Sequence, residues 1–103
     1  MALYKVFTHA EFSLFKERGI FFGNPRDCNI GGIQMMNSAY LCEKELQTHY
    51  PTEAVIVVAL DLRKFSGPRF RDSLTNESYI VYRDPLQYNA VQGFTTSEPP
   101  HNI

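Results

Sequence analysis

The sequence predicts a small domain of the α+β class, with a mixed, mostly antiparallel β-sheet and two helices. Strand and helix patterns follow one another in the order β-α-β-α-β-β-β, which lacks the strict alternation of a doubly wound parallel sheet. The run from Ala54 to Leu62 is rich in Val and Ile, as is typical of a central strand covered on both faces. With 103 residues, the chain is long enough for one hydrophobic core and too short for two ordinary domains.

The first strand and the first helix are predicted from local signals. Residues 3 to 7 are mostly apolar and form the strand. Thr8 and Glu11 have the spacing of a capping box, in which each side chain satisfies a backbone N–H group at the start of a helix. A helix from His9 to Arg18 follows, and Gly19 can adopt the left-handed conformation that closes it.

The next elements are a short strand, a turn and a second helix. Ile20 to Phe22 begins the strand, residues 23 to 25 turn it, and the glycine pair 31–32 leads into a short apolar stretch. Ser38 suits a helix cap, so the second helix is expected from about Ser38 to His49. The side chains expected toward its core face are Tyr40, Leu41 and Leu46, and those expected in water are Glu43, Lys44 and Glu45.

The last elements are expected to be a strand pair that begins at an acidic residue. A basic loop from Arg63 to Asp72 precedes Glu77, and an apolar strand, a turn at Asp84-Pro85 and a returning strand follow. This order places one carboxylate at the mouth of a buried strand. A single domain is predicted for residues 1–94, with a flexible tail at 95–103.

Composition and charge exclude several classes of protein. The net charge of -1 and the 44% of hydrophobic residues are unlike those of disordered chains or strongly basic nucleic-acid-binding domains. No apolar run reaches the roughly 18 residues that a membrane span needs. The N-terminal residues lack a signal-peptide pattern, so a reducing cytoplasmic location is predicted, with Cys28 and Cys42 as small buried side chains rather than a disulfide.

Three segments carry the remaining pattern, namely Leu3-Tyr4-Lys5, the stretch from Gly32 to Cys42, and Asn76-Glu77-Ser78-Tyr79-Ile80-Val81-Tyr82. In this order they resemble a much-reduced ADP-ribosyltransferase domain of the poly(ADP-ribose) polymerase kind. That family has a His in its first strand, a Tyr on a second strand that begins with Gly, and a Glu that opens a late strand similar to Tyr-Ile-Val-Tyr. The resemblance covers most of residues 3 to 94 and implies the same fold.

The resemblance implies NAD as the cofactor. The family breaks the bond between nicotinamide and ribose and transfers ADP-ribose to a macromolecular acceptor, a protein or a nucleic acid. Because the transition state is cationic at the ribose carbon, a nearby carboxylate stabilises it electrostatically, and Glu77 is the candidate for this role. Lys5 stands at the His position and Gln34 at the Tyr position, so Lys5, Gln34 and Tyr40 are the candidate NAD-binding residues.

The sequence leaves more than one interpretation of these residues open. Lys5 is either a nucleotide-binding cation or an exposed lysine on an edge strand. A strict alignment puts Ser78 at the catalytic position, so the strand register decides whether Glu77 faces a cleft or water. Phe7 could replace Tyr40 in stacking on nicotinamide, although core filling suits it better.

Arg69 and Arg71 are candidates for contacting the acceptor. They precede the late strand, where the family tends to place acceptor-binding residues, and arginine forks suit phosphate or carboxylate. A solvated loop is the other interpretation of these two arginines.

Three functions are compatible with the pattern. The first is an NAD-dependent mono-ADP-ribosyltransferase. The second is a catalytically silent module of the same fold that binds a nucleotide or a protein partner, because both the His and the Tyr are replaced. The third is a relative of RNA 2′-phosphate transferases, although basic residues for the phosphate are few.

A smaller group of uncharacterised bacterial proteins of that fold is also similar. In that group three histidines recur at the positions of Lys5, Gln34 and Val81, all of which differ in this chain. The three histidines and two cysteines present here show no metal-ligand spacing, so no metal site is predicted.

Overall fold

The computed structural model describes residues 2–65, 69–71 and 79–101. This part of the chain forms three helices, which are α1 (His9–Arg18), α2 (Pro25–Ile30) and α3 (Ala39–His49). The strands of the same part are β1 (Ala2–Thr8), β2 (Ile20–Phe21), β3 (Ile33–Met35), β4 (Val55–Asp61), β5 (Arg69–Arg71), β6 (Ile80–Tyr82), β7 (Leu86–Gln87) and β8 (Val91–Ser97). Short 3-10 helices lie at Leu62–Lys64 and Tyr88–Ala90.

The strands pair antiparallel in three small sheets. Their orders are β1-β4-β8, β3-β6-β5 and β2-β7. A single antiparallel bridge joins the first two sheets, with the Tyr4 N–H donating to the Met36 carbonyl at 2.7 Å and the Met36 N–H donating to the Tyr4 carbonyl at 2.8 Å. The predicted α+β class with mostly antiparallel strands is therefore confirmed.

The hydrophobic core lies on both faces of the β1-β4-β8 sheet. Since side chains alternate along a strand, Ile56 and Val58 of β4 face a cluster that includes Phe12 and Phe15 of α1. Val55 faces a second cluster, which includes residues of α3. The prediction that the Val- and Ile-rich run forms a central strand is confirmed.

Local capping signals are seen where the sequence predicts them. The Thr8 side chain accepts the Glu11 N–H at 3.1 Å, and the Glu11 carboxylate accepts the Thr8 N–H at 2.8 Å. Gly19 has a φ of 75°, in the left-handed region, and its N–H donates to Phe15. Ser38 caps α3 by accepting the Leu41 N–H at 3.3 Å.

Helix α2 was not predicted, since residues 23 to 25 were assigned to a turn. Asn24 is the N-cap, Pro25 occupies the first turn, and Asn24 and Asp27 form a reciprocal capping box. The helix has only six residues, which is too short for a hydrophobic repeat to indicate it.

The last strands do not pair with each other as the sequence predicts. Strand β7 pairs with β2, and β6 lies between β3 and β5. The turn residues Asp84-Pro85 are compatible with a hairpin, but here the chain crosses to another sheet. The boundary expected at residue 94 falls inside β8, where residues 95 to 97 pair with β4.

The cysteines differ from the prediction in one respect. Cys42 is buried, whereas Cys28 on α2 is exposed, and both thiols are free. None of the helices in the described ranges is long and apolar enough to cross a membrane.

Replacement of Gly32 by Ala is expected to destabilise the β3–β6 contact. An added Cβ would lie 2.6 Å from Val81 Cγ1 and 2.9 Å from the Tyr82 carbonyl oxygen, so the backbone would have to shift. We expect the free energy of unfolding to fall by about 1–3 kcal/mol, measured by urea denaturation. Gly93→Ala is the control, because a Cβ there meets open space, and it should be neutral or slightly stabilising. Equal midpoints for both variants would contradict the close approach at Gly32.

Candidate functional site

Lys5 is buried where β1, α2 and β3 meet. Only 4% of the surface of Lys5 is exposed to solvent. The ammonium nitrogen lies 3.1 Å from Asp27 Oδ1 and 3.1 Å from Asp27 Oδ2, and it donates to the Gln34 carbonyl at 2.9 Å. We call Lys5, Asp27 and Gln34 the Lys5 cluster. The interpretation of Lys5 as an exposed edge-strand lysine is wrong.

The Asp27 carboxylate receives further hydrogen bonds from the backbone. Its Oδ2 accepts the Asn24 N–H at 3.0 Å, and its Oδ1 accepts the Gln34 N–H at 3.1 Å. Asp27 is 3% exposed, so its charge is balanced inside the protein by Lys5 and by these two donors. The same carboxylate therefore caps α2, fixes the start of β3 and pairs with β1.

The structure brings together the positions that the sequence resemblance nominates on β1, β3 and β6. Gln34 is directly opposite Val81 in the β3–β6 register, and its carbonyl accepts from Lys5. Glu77 and Ser78, whose register was left open, lie outside the described residues.

Tyr40 does not have the core position that the sequence predicts. It is 67% exposed, and on the outer surface of α3 it lines a shallow depression with Glu43, Lys44 and Gln47. These residues recur at the spacing of one helix face, so Tyr40 belongs to the polar side of α3. Phe7 is fully buried and stacks on Phe15 with ring centroids 5.4 Å apart, which confirms its role in the core.

Arg69 and Arg71 belong to a strand rather than to a loop. The backbone of Arg69 pairs with Tyr82 and that of Arg71 with Ile80, which places β5 at the edge of the β3-β6-β5 sheet. Their side chains are not among the described features, so acceptor binding by either residue stays a prediction.

A second buried charge connects α2 to α3. Arg26 donates to the Glu45 carboxylate at 2.6 Å and to the Tyr50 hydroxyl at 2.9 Å, and its guanidinium lies 5.5 Å from the Tyr50 ring centroid. Glu45 is 5% exposed, so its expected position in water is wrong. Burial raises the pKa of the Tyr50 phenol even though Arg26 opposes that change.

The C-terminal segment contacts Tyr50, at the end of α3, through His101. The Nε2–H of His101 donates to the Tyr50 carbonyl at 2.8 Å, because a carbonyl can only accept. Nδ1 of the same ring lies 2.6 Å from the Ser97 hydroxyl. These contacts hold residue 101 against the end of α3, in place of the flexible tail that the sequence predicts.

A groove that the sequence did not indicate lies between α3 and β8. Its volume is about 330 Å³, within the range of small-molecule and side-chain pockets. The described residues that line it carry no formal charge, and they are Tyr4, Ala39, Cys42, Val57, Thr95, Thr96 and Ser97. Sequence reasoning missed the groove because residues 95 to 97 were assigned to a tail.

Cys42 lines this groove with its thiol in the neutral form. Burial raises the pKa of the thiol to about 11, and the nearby charge of Glu45 acts in the same direction. A thiol with this pKa is a weak nucleophile at neutral pH, so the groove is suited to binding and not to thiolate chemistry.

Comparisons with known proteins show the fold but give no information about function. No family model and no curated protein matches the chain. The crystal structure of protein CC0527 from Caulobacter crescentus is similar, with a TM-score of 0.81 and 17% identity over 93% of this chain and 85% of that one. The solution NMR structure of CC0527 is also similar, with a TM-score of 0.74 and 18% identity over 94% of this chain and 84% of that one.

Removal of the Lys5 charge is expected to destabilise the fold strongly. In Lys5→Met the Asp27 carboxylate stays buried without its cation, which should lower the free energy of unfolding by about 3–5 kcal/mol. Adding Asp27→Asn to this variant should restore part of the loss, because the uncompensated charge is gone. Exposed Lys16→Met is the control and should change stability by less than about 0.5 kcal/mol. Urea denaturation measures all three, and an unchanged midpoint for Lys5→Met would show that the pair is not a buried constraint.

The two thiols are expected to differ in reactivity and in their effect on alkaline stability. A thiol reagent at pH 8 should modify exposed Cys28 rapidly and Cys42 slowly.

The pKa of Cys42 is raised in the folded state, to about 11 from 9.0, so its contribution to stability is present below pH 9 and is lost as pH rises toward 11. Cys42→Ala should therefore lose less stability than the unmodified protein between these pH values. Parallel pH profiles would contradict this assignment.

Proposed function

We propose that this protein is a catalytically silent module of the ADP-ribosyltransferase fold that binds a protein partner and does not turn over NAD. The observation that supports this proposal is that the Lys5 ammonium is already hydrogen-bonded inside the protein. This ammonium has three N–H groups, and it contacts both Asp27 oxygens and the Gln34 carbonyl. Lys5 stands at the position where the family holds the ribose of NAD with a His.

Binding of NAD at this position would have to displace a buried ion pair. Separating one partner from a buried pair costs about 3–5 kcal/mol, which would subtract from any affinity gained by contact with the cofactor. The backbone N–H and the backbone carbonyl of Gln34 are both hydrogen-bonded to the same pair. The Lys5 cluster is therefore a structural element in this proposal, and the family's ribose-binding role has been lost.

The aromatic candidates for nicotinamide stacking give no support to turnover. Tyr40 is on the polar face of α3 with 67% of its surface exposed, and Phe7 is fully buried between other rings. Phe7 therefore has no open face for a nicotinamide ring, and Tyr40 lies among the polar residues of its helix.

The chemistry of the groove beside β8 supports a protein partner over a nucleotide. Its described lining is uncharged, whereas a pyrophosphate group is usually bound by cations or helix N-termini. The strand beside it is the edge of its sheet, and an extended chain can add to such an edge through backbone hydrogen bonds while a neutral side chain fills the adjacent pocket. A protein segment meets both requirements.

The competing candidate is an NAD-dependent mono-ADP-ribosyltransferase with Glu77 as the residue that stabilises the ribosyl cation. One observation favours it, namely that Lys5 contacts Gln34, which in turn lies opposite Val81, so the three positions at which the similar bacterial group carries histidines are neighbours in this chain. In that case Asp27 would have to release Lys5 when NAD binds.

Incubation with saturating NAD separates these candidates. We expect no nicotinamide release by chromatography and no change in the Tm. Release that is abolished in Glu77→Gln and retained in the control Glu17→Gln would overturn the proposal in favour of the transferase. A raised Tm without release would favour a silent nucleotide-binding module, since a ligand at 100 times its Kd adds about 2.7 kcal/mol of stability.

A further inference from the structure

Strand β8 is one of the two edge strands of the β1-β4-β8 sheet, and the other, β1, is bridged to Met36 through Tyr4. Strand β8 has seven residues, pairs with β4 on one side, and has no other strand partner among the residues that the structure describes. Proteins usually protect such an edge with Lys, Glu or Pro side chains, because exposed backbone N–H and C=O groups attract other strands. The strand Val-Gln-Gly-Phe-Thr-Thr-Ser contains none of these residues.

A bulge limits the regular part of this edge without removing it. The register with β4 shifts between Ala59 and Leu60, so Gln92 is left out of the ladder. Bulges also protect edges, but this one lies near the start of the strand. Residues 93 to 97 remain in regular register with β4 and present a continuous edge.

Phe94 lies near the middle of this regular segment. It is 52% exposed, although one side of its ring packs on Phe12 with the centroids 4.9 Å apart. A large aromatic side chain is therefore half covered by the protein and half exposed to solvent. It belongs to the segment of β8 that has no second strand partner among the described residues.

We propose that β8 pairs antiparallel with β8 of a second copy of this chain and forms a two-fold symmetric dimer with a continuous sheet. The inference rests on the proposed function in that it identifies the protein partner. A two-fold axis at Phe94 or Thr95 puts the two Phe94 rings on the same face, either directly opposite or diagonal, where aromatic pairs stabilise neighbouring strands. Since the strand is uncharged, no like charges meet across the axis.

Charge at the ends of β8 favours a second copy over an unrelated strand. With either axis, Glu98 of one copy lies opposite residues 90 to 92 of the other. The 3-10 helix at Tyr88–Ala90 packs against the 3-10 helix at Leu62–Lys64, where Arg63 and Lys64 are exposed. Arg63 is paired with Asp61, so Lys64 is the unbalanced charge of this 3-10 helix, and its sign is opposite to that of Glu98.

Sedimentation equilibrium with charged variants tests this dimer. The unmodified chain should show a concentration-dependent dimer. Phe94→Lys and Phe94→Glu should each weaken it at least tenfold, because like charges then face each other across the axis. An equal mixture of the two variants should restore a dimer, since opposite charges now meet. Phe22→Lys is the matched control, because Phe22 is 70% exposed but is not on β8, and it should leave the dimer unchanged.

A second variant separates loss of pairing from loss of folding. Phe94 contacts Phe12, so the circular dichroism and Tm of its variants are measured alongside. Thr95→Lys changes an exposed residue on the opposite face of the strand and should also weaken the dimer. A chain that stays monomeric at all concentrations, a dimer insensitive to both β8 positions, or a dimer lost in Phe22→Lys would each overturn the inference. These outcomes leave the silent-module proposal standing, whereas nicotinamide release would overturn that proposal and leave the dimer unaffected.

Discussion

The ion pair between Lys5 and Asp27 is the constraint on which the arrangement of this fold depends. It joins residues 22 positions apart and connects the first strand to α2, while the same carboxylate holds the N-termini of α2 and of β3. A buried pair of this kind adds little net stability, because desolvation offsets the attraction. Its effect is on position: with the pair formed, β1, α2 and β3 have one relative placement in which both charges are satisfied.

Helix α2 has charged contacts with two different parts of the fold. Asp27 faces β1 and β3, and the preceding residue, Arg26, reaches Glu45 and Tyr50 on the side of α3. Consecutive helix residues point about 100° apart, so one short helix can contact both neighbours. Tyr50 also receives His101 from the end of the chain, which extends the polar connection from β1 to the C-terminal segment.

The distance along the chain between interacting groups explains what the sequence could predict. The Thr8 and Glu11 cap, the end of α1 at Gly19 and the central strand β4 depend on neighbouring residues or on a continuous apolar run, and all were predicted. The burial of Lys5 and of Glu45 was not predicted, because their partners lie 22 and 19 residues away on α2, a helix too short to be recognised. Of the candidate site, the resemblance nominated Lys5 and Gln34, but their contact and the burial of Lys5 depend on the position of Asp27, which the sequence did not indicate.

The charged residues of this protein are distributed differently between its interior and the sheet edge at β8. Lys5, Asp27 and Glu45 are buried, where each charge has a fixed partner and restricts the fold, whereas the edge strand β8 is uncharged. Buried charges with fixed partners are unavailable to a ligand, and an uncharged edge is available to another strand. Because the cation of Lys5 is held in a structural pair, we expect binding at the sheet edge. The silent-module proposal and the β8 dimer are both consequences of that one distribution.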